Sequence, residues 1–323
     1  MWSRLEFAYI LELQAPSSTR RREVGSGKWS EEVGRRAGQL HSAPSQRQDR
    51  PSDFQFLVTG GYRPDTNDLV KYTVSLRMGK PKKFFGDNHF CAGTIFSERA
   101  ILTAAHCMFS NRRKLKAKKL MVVAGTPRRL LKSSTTQIIE AEELLPHPKY
   151  KKGKSQKYDI GLILLEADLS LGDAVAKIPL YNKVPVAGAP CSIVGWGTVI
   201  QVSIDYRFGP LPDEAINGDM QILPDTFCEK LLGWSNAGML CANDKHDSDV
   251  DSCQGDSGGP LICDNMVTGI VSFGMGCGEP DSAGIYTDVY HFRDWITENS
   301  CPLGTRSVWT LFLLLLLLLT GIS

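Results

Sequence analysis

The chain has 323 residues, of which 42% are hydrophobic and 22% charged, and its formal net charge is +2. This is the composition of an ordinary globular protein with a large core, and it excludes a wholly disordered chain. The nearly balanced charge does not indicate nucleic-acid binding, and the sequence contains no nucleotide-binding loop and no structural zinc spacing.

The amino-terminal segment, residues 1–57, differs from the rest of the chain. Its first apolar stretch, residues 1–13, is interrupted by charges and makes a poor secretory signal. Residues 17–53 are rich in Arg, Ser, Gly and Gln, which predicts a disordered or propeptide-like segment. An alternative start or a mis-assigned first exon would also explain this stretch. We expect the main domain to span residues 58–300.

Short runs of β-prone apolar residues recur between turn signals through this domain, which predicts an all-β fold. The predicted strands include residues 119–124, 137–140, 159–165, 191–194 and 266–271. Helices are predicted only at residues 226–232 and 289–299, where apolar residues recur at helical spacing. An all-β domain of about 250 residues need not be divided further.

Two residues beside these runs are candidates for a catalytic base and the acid that orients it. His106 ends the run TAAHC at residues 103–107, and Asp159 begins the run DIGLILL at residues 159–165. Taken alone, His106 would more often be a packed or surface histidine. Asp159 would be a solvated acid at a strand mouth, or a buried acid with a partner.

The third candidate is Ser257 in the stretch DSCQGDSGGP, residues 251–260. Glycines on both sides leave the backbone bare, so N–H groups can converge on one point without a Cβ in the way. The alternative is a glycine-rich turn with a solvated serine. Ser257 becomes a nucleophile only if a base takes its proton and a third group orients that base.

Together these motifs resemble the chymotrypsin-like serine proteases, the trypsin-fold family. The resemblance rests on TAAHC, DIGLILL, CSIVGWG (191–197), DSCQGDSGGP, and IVSFG (270–274) followed by GIYT (284–287). Their order, His then Asp then Ser, is the order that the family uses. The resemblance covers about residues 58–299. It implies two packed six-stranded antiparallel β-barrels with a C-terminal helix.

The resemblance implies a serine endopeptidase that works through an acyl-enzyme. Ser257 would be the nucleophile, His106 the general base and Asp159 the residue that orients it. The N–H groups of Gly255 and Ser257 would bind the oxyanion. No cofactor or metal is expected, since the loop 126–136 that binds calcium in some relatives has no carboxylates. Expected partners are protein or peptide substrates, an activating protease, and serpin- or Kunitz-type inhibitors.

Substrate choice can be inferred from the same resemblance. The residue six before the nucleophile lies at the base of the family's primary pocket, and here it is Asp251. A buried carboxylate there would pair with arginine or lysine. Gly274 and Gly284 match the wall glycines, and Ser272 matches a residue that helps to hold the triad and the substrate. Phe273 stands where a tryptophan is usual. The alternative for Asp251 is a solvated loop acid.

The cysteine content provides a further expectation, because nine cysteines are present. Eight of them match family positions, in an oxidising compartment. The resemblance implies the disulfides Cys91–Cys107, Cys191–Cys263, Cys228–Cys241 and Cys253–Cys277. Cys301 is left over.

The start of the domain departs from the family. Members are usually cut after a basic residue, and the new amine pairs with the acid beside the nucleophile, here Asp256. The matching start is Val58, but Leu57 precedes it. Either an activator with chymotrypsin-like preference cuts after Leu57, or the chain stays zymogen-like. The second case leads to an alternative function, a non-catalytic homologue that acts as a binding or adhesion protein.

Two segments rich in positive charge, residues 112–119 and 149–154, would rim the cleft in the family's layout. They could steer acidic substrates or bind a polyanion such as a sulfated polysaccharide, or they could be merely solvated loops.

The carboxyl-terminal tail, residues 301–323, ends in the apolar run 308–322. Small residues, a short polar spacer and this run fit a GPI-attachment signal better than a membrane span. Cleavage near Asn299 or Ser300 would then remove Cys301. A tail-anchored helix is the alternative. Either predicts a membrane-anchored protein on the extracellular face of the cell.

Overall fold

The computed structural model describes residues 61–199, 201–202, 207–244, 250–279 and 281–300. All of them lie in the unit Asp53–Ser323. In the first half of this part the strands are β1 (Thr73–Met78), β2 (His89–Ile95), β3 (Ala100–Thr103), β4 (Phe109–Ser110), β5 (Arg113–Lys114), β6 (Leu120–Ala124), β7 (Gln137–Pro146) and β8 (Gly161–Leu165). In the second half they are β9 (Pro190–Gly195), β10 (Gln201–Val202), β11 (Arg207–Phe208), β12 (Ile216–Ile222), β13 (Met239–Asn243), β14 (Pro260–Cys263), β15 (Met266–Phe273) and β16 (Gly284–Asp288). The helices are α1 (Asp225–Cys228) and α2 (Arg293–Asn299), with 3₁₀ helices at Val70–Tyr72, Ala105–Met108 and Ala117–Lys119.

The first six-stranded barrel closes in the order β1-β2-β3-β8-β7-β6, with antiparallel neighbours throughout. Strands β3 and β8 are buried along their whole length, which explains why they read as unbroken apolar runs. In β7, exposed polar residues alternate with more buried ones over part of the strand, as expected where one face meets water. The hairpin β4-β5 lies outside the barrel.

The second barrel closes in the order β12-β13-β16-β15-β14-β9, again with antiparallel neighbours. The two barrels share apolar core. Trp196 and Ile270 belong to the same buried cluster as Ile95 and Leu162. In a closed barrel each strand is hydrogen-bonded on both sides, and these two barrels pack on a shared core. The strand ends between the barrels therefore provide fixed positions for site residues.

The predicted fold class is therefore confirmed, and the structure has strands at each of the five predicted positions. The two helices are shorter than predicted. Helix α1 has four residues, and after it Lys230 and Leu231 bond to residues three positions earlier, as in a 3₁₀ turn. Helix α2 begins at Arg293 because the Asp288 carboxylate accepts the N–H groups of Tyr290 and His291, which makes residues 288–291 a turn.

Four disulfides link the cysteines of the described part as Cys91–Cys107, Cys191–Cys263, Cys228–Cys241 and Cys253–Cys277. These are the pairs that the family resemblance implies. Cys191 and Cys263 lie directly opposite each other on β9 and β14. Cys301 and the tail lie outside the described residues, as does segment 1–57 with Val58. Among the helices that the structure describes, none is long and apolar enough to span a membrane.

Candidate active site

His106 lies in the segment that follows strand β3 of the first barrel. It lies in the 3₁₀ helix Ala105–Met108, directly after the buried strand β3, and the disulfide Cys91–Cys107 ties the next residue to β2. The His106 side chain is 20% exposed, whereas its flanking residues Ala105 and Cys107 are buried. The backbone at His106 is therefore held in place, while part of the imidazole is accessible to solvent.

Asp159 precedes β8 and orients this imidazole. Its Oδ1 accepts the His106 backbone N–H at 2.7 Å, and its Oδ2 lies 2.7 Å from His106 Nδ1. The Ser272 hydroxyl donates to the same Oδ2 at 2.6 Å, and the Thr287 hydroxyl donates to the Asp159 carbonyl at 2.8 Å. With the carboxylate ionised, Nδ1 carries the proton, so Nε2 is left to accept one. The structure thus brings His106, Asp159 and Ser272 together.

Ser257 lies in a tight loop just before β14. The loop is fixed on both sides, since Asp256 N–H donates to the Cys253 carbonyl and Gly258 N–H to the Val271 carbonyl. Gly255 has φ of 112°, and a Cβ there would meet the Gly197 Cα at 3.1 Å. Only glycine fits this conformation and contact without strain.

The N–H groups of Gly255 and Ser257 have no hydrogen-bond acceptor among the residues that the structure describes. Two donors in one glycine-rich turn are the arrangement that an oxyanion site requires. Nothing else in the described part of the chain competes for them.

His106 and Ser257 line one cleft of about 270 Å³. The residues that line this cleft also include Ser272, Phe273, Gly274, Lys152 and Gln156. Within the described residues the Ser257 hydroxyl makes no hydrogen bond to the imidazole. Such hydrogen bonds often shorten only when substrate binds. The support for a catalytic pair is therefore that both side chains line one cleft.

Asp251 is the chain neighbour of Ser252, which lines the cleft. It is 4% exposed, and its carboxylate accepts the N–H groups of Ser252 at 2.8 Å and Gly278 at 3.2 Å. A Cβ on Gly284 would lie 2.8 Å from Asp251 Oδ1, so a glycine is needed beside it. Burial raises the pKa of Asp251 to about 7, against the lowering effect of the two N–H bonds. The interpretation as a solvated acid is wrong.

Asp256 is the second buried acid beside the nucleophile. Its two oxygens accept the N–H groups of Gly197 at 2.7 Å and Cys253 at 3.0 Å. Burial raises the pKa of Asp256 to about 6, although both N–H bonds lower it. Among the described residues no basic side chain forms an ion pair with Asp251 or Asp256. The amine expected to pair with Asp256, that of Val58, lies outside the described residues.

A chain of hydrogen bonds behind the oxyanion loop was not anticipated from the sequence. Arg77 Nε donates to Ser75 Oγ at 2.9 Å, Ser75 Oγ lies 2.8 Å from His89 Nδ1, and His89 Nε2 lies 3.1 Å from the Gly255 carbonyl. The only consistent assignment has Ser75 donating to Nδ1 and Nε2–H donating to Gly255. We call this chain the Arg77 relay.

The Arg77 relay contains a histidine that stays neutral. Burial, together with the positive charges of Arg129 and Arg77, lowers the pKa of His89 to about 3. No local motif marks these residues, because β1 and β2 are distant in sequence from Gly255. The sequence predicted that residues 149–154, which include Lys152, rim the cleft, but it did not assign Gln156 to the cleft.

In the described residues, the one group of potential metal ligands consists of Cys91, His106 and Cys107. The two sulfurs are bonded to each other and cannot be thiolate ligands. The loop 126–136 instead presents Arg128, which pairs with Asp213 and Glu214.

Comparison with known proteins shows one consistent likeness. The family model described as Trypsin matches residues 58–296. Trypsin-3 of Homo sapiens is 33% identical over 250 residues, which cover 77% of this chain and 74% of that protein. Kallikrein-8 of Mus musculus is 34% identical over 220 residues, 67% of this chain and 79% of that protein. The solved structure of neuropsin, a serine protease expressed in the limbic system of mouse brain, is 31% identical with a TM-score of 0.60, and covers 72% of this chain and 96% of that one.

Proposed function

The chain belongs to the trypsin family of serine proteases, and from that premise we propose that it is an endopeptidase that cleaves after arginine or lysine. The carboxylate of Asp251 is the observation that carries this specificity. It is buried next to Ser252, which lines the cleft, accepts the backbone N–H groups of Ser252 and Gly278, and has a raised pKa. A guanidinium or ammonium group in the cleft would compensate the ionised carboxylate.

The proposed reaction uses the three residues in the family's roles. Ser257 Oγ attacks the peptide carbonyl carbon while His106 Nε2 takes its proton. The C–N bond then breaks, and the imidazolium gives that proton to the leaving amine. Water, activated by the same nitrogen, attacks the acyl-enzyme and releases the new carboxyl group and Ser257. Asp159 holds Nδ1–H throughout and stabilises the charged imidazole, as its 2.7 Å contact supports.

The N–H groups of Gly255 and Ser257 are proposed to bind the oxyanion of both tetrahedral intermediates, at about 3 kcal/mol per donor. Their lack of other acceptors in the described part of the chain supports this role. Partners of the reaction are protein or peptide substrates. An activating protease that cuts after Leu57 and inhibitors of the serpin or Kunitz type complete the proposal.

The protein is further proposed to be held at the extracellular face of a membrane by a GPI anchor that replaces tail 301–323. Four disulfides agree with an oxidising compartment. Treatment of expressing cells with phosphatidylinositol-specific phospholipase should release the protein. Retention on the cells would favour the tail-anchored helix instead.

A fluorophosphonate probe, which labels only activated serines, tests the catalytic proposal. The labelled fraction of the full chain is measured against Ser257→Ala, which should not label. Peptides that differ only in having Arg, Lys or Leu before the scissile bond are then compared. We expect Arg and Lys peptides to be cleaved about a hundredfold faster than Leu peptides, and Asp251→Asn to lose this preference.

Two outcomes would overturn parts of the proposal separately. Absence of labelling would favour the non-catalytic binding or adhesion protein, the candidate that rests on Leu57 in place of a basic residue. Labelling together with preferred cleavage after Leu would retain the protease and reject the basic specificity.

A further inference from the structure

Two basic loops meet beside the catalytic histidine. They are residues 111–119, which follow β4, and residues 149–157, which precede Asp159. Arg112 Nε lies 3.5 Å from the position that a Cβ on Gly153 would occupy, so the loops are in contact range. We call these two loops the basic surface. It is continuous with the cleft, because Lys152 and Gln156 line the cleft together with His106 and Ser257.

The positive charges of the basic surface are not compensated by the described part of the protein. Ion pairs there involve Arg63, Arg99, His106, Arg128, Lys177 and Lys183, and none involves a lysine or arginine of the basic surface. The described lining of the cleft contains no carboxylate. Like charges gathered without counter-charges repel each other, and a bound anion relieves that repulsion.

Lys152 differs from its neighbours in this surface. It is half-buried, whereas Lys151, Lys154 and Lys157 are exposed. An ammonium group at a cleft wall loses more water when the cleft fills, so a carboxylate that reaches it forms a stronger charge-assisted hydrogen bond than on an open surface. Gln156, on the same wall, can donate a second hydrogen bond from its amide.

We propose that Lys152 binds an acidic side chain of the substrate, so that preferred substrates carry an acid within a few residues of the basic residue that enters the Asp251 pocket. This inference rests on the proposed function. A substrate peptide fits the observations better than a polysaccharide, because Lys152 and Gln156 line the cleft that the peptide must enter. The exposed lysines and Arg112 add long-range attraction for the same substrates.

Peptide hydrolysis by the full chain, with rates expressed per fluorophosphonate-labelled site, tests the inference. Peptides share one arginine before the scissile bond, and an aspartate or a matched asparagine is placed at each neighbouring position in turn. We expect kcat/KM to rise about five- to tenfold for aspartate at the favoured position, mostly through KM, and the gain to shrink in high salt.

Variants assign the effect to one side chain. Lys152→Gln should remove the preference for aspartate, so that the ratio of kcat/KM between the matched aspartate and asparagine peptides falls to about one. Lys154→Gln, which removes the same charge from an exposed position of the same loop, should keep the preference. Lys152→Glu should reverse it in favour of a peptide with a lysine at that position.

Equal rates on all aspartate and asparagine pairs, or a preference that survives Lys152→Gln, would overturn the inference. Binding of a heparin oligosaccharide that Lys152→Gln does not weaken, without any aspartate preference, would assign the basic surface to polyanions instead. Hydrolysis of the arginine peptides in these experiments would support the proposed function. Failure of the proposed function would appear separately, as absence of labelling and of all hydrolysis.

Discussion

The buried carboxylates on the two sides of Ser257 are compensated in different ways. On one side, Asp159 accepts three hydrogen bonds, one of them from the His106 ring. On the other side, Asp256 accepts two backbone N–H groups, and Asp251 accepts two backbone N–H groups and a side-chain hydrogen bond from Ser252. Burial raises the pKa of Asp251 to about 7 and that of Asp256 to about 6. Asp159 thus has a histidine partner, whereas Asp251 and Asp256 form no ion pair with a basic side chain among the described residues.

This difference has a consequence for stability. Since the pKa values of Asp251 and Asp256 are raised above the ordinary 3.8, the folded state binds more protons than the unfolded state between about pH 4 and pH 7. The free energy of unfolding should therefore fall as pH rises through that range. A cation that binds beside either carboxylate reverses this loss. In the proposed function, this lower stability would be the cost of a pocket that recognises a positively charged side chain.

The largest effect is expected from Asp159→Asn, which disrupts the hydrogen bonds of the Asp159 carboxylate. The amide has one acceptor oxygen instead of two and introduces a donor, so the His106 ring loses its oriented Nδ1–H. We expect kcat on an arginine peptide to fall about 10⁴-fold at neutral pH.

Thr287→Val is the matched control for this variant, because it removes only the 2.8 Å hydrogen bond to the Asp159 carbonyl. Its kcat should fall less than tenfold. If Asp159→Asn kept more than about a tenth of the activity, the orienting role of Asp159 would be rejected.

Much of the candidate site could be predicted from the sequence, because its residues lie in local motifs. His106, Asp159, Ser257 and the cleft glycines are marked by their neighbours in the chain. The pairing of eight cysteines followed from the family resemblance. Lys152 was not marked in this way, since a run of lysines looks the same whether one of them lines a cleft or all are solvated.

The Arg77 relay could not be predicted, because it joins Ser75 on β1, His89 on β2 and Gly255 in the nucleophile loop. These contacts exist only after the first barrel has closed and packed beside that loop. The length of α2 was overestimated for a different, local reason. The Asp288 carboxylate binds N–H groups that the helical pattern assigned to α2.

A smaller effect is expected at Asp251, where the affinity for a positively charged ligand should depend on pH. Benzamidine carries a positive amidinium and should bind in the Asp251 pocket only when the carboxylate is ionised. With the pKa of Asp251 near 7, affinity should rise about tenfold between about pH 6 and pH 8. Fluorescence or calorimetric titration measures this directly.

Asp251→Asn serves as the control for the titration. It should bind benzamidine weakly, with little dependence on pH. A wild-type affinity that does not change with pH, or an equally steep dependence in Asp251→Asn, would show that another group controls the pocket.

The smallest effect is expected at the Arg77 relay. Arg77→Met removes the donor to Ser75, the 3.0 Å hydrogen bond from Nη2 to the Arg129 carbonyl, and one of the two charges that keep His89 neutral. It also removes a buried charge whose Nη1 has no partner in the described residues, so the free energy of unfolding should change by only about 1 kcal/mol. The predicted change is a roughly threefold to fivefold lower kcat, since the Gly255 carbonyl is held less firmly, with KM unchanged.

A second pair of variants separates this positioning role from a merely structural one. His89→Gln keeps a donor for the Gly255 carbonyl but removes the imidazole through which Ser75 and Arg77 act. Adding Arg77→Met to His89→Gln should therefore leave kcat unchanged. If kcat falls in that double variant as much as in Arg77→Met alone, Arg77 acts through a group other than His89.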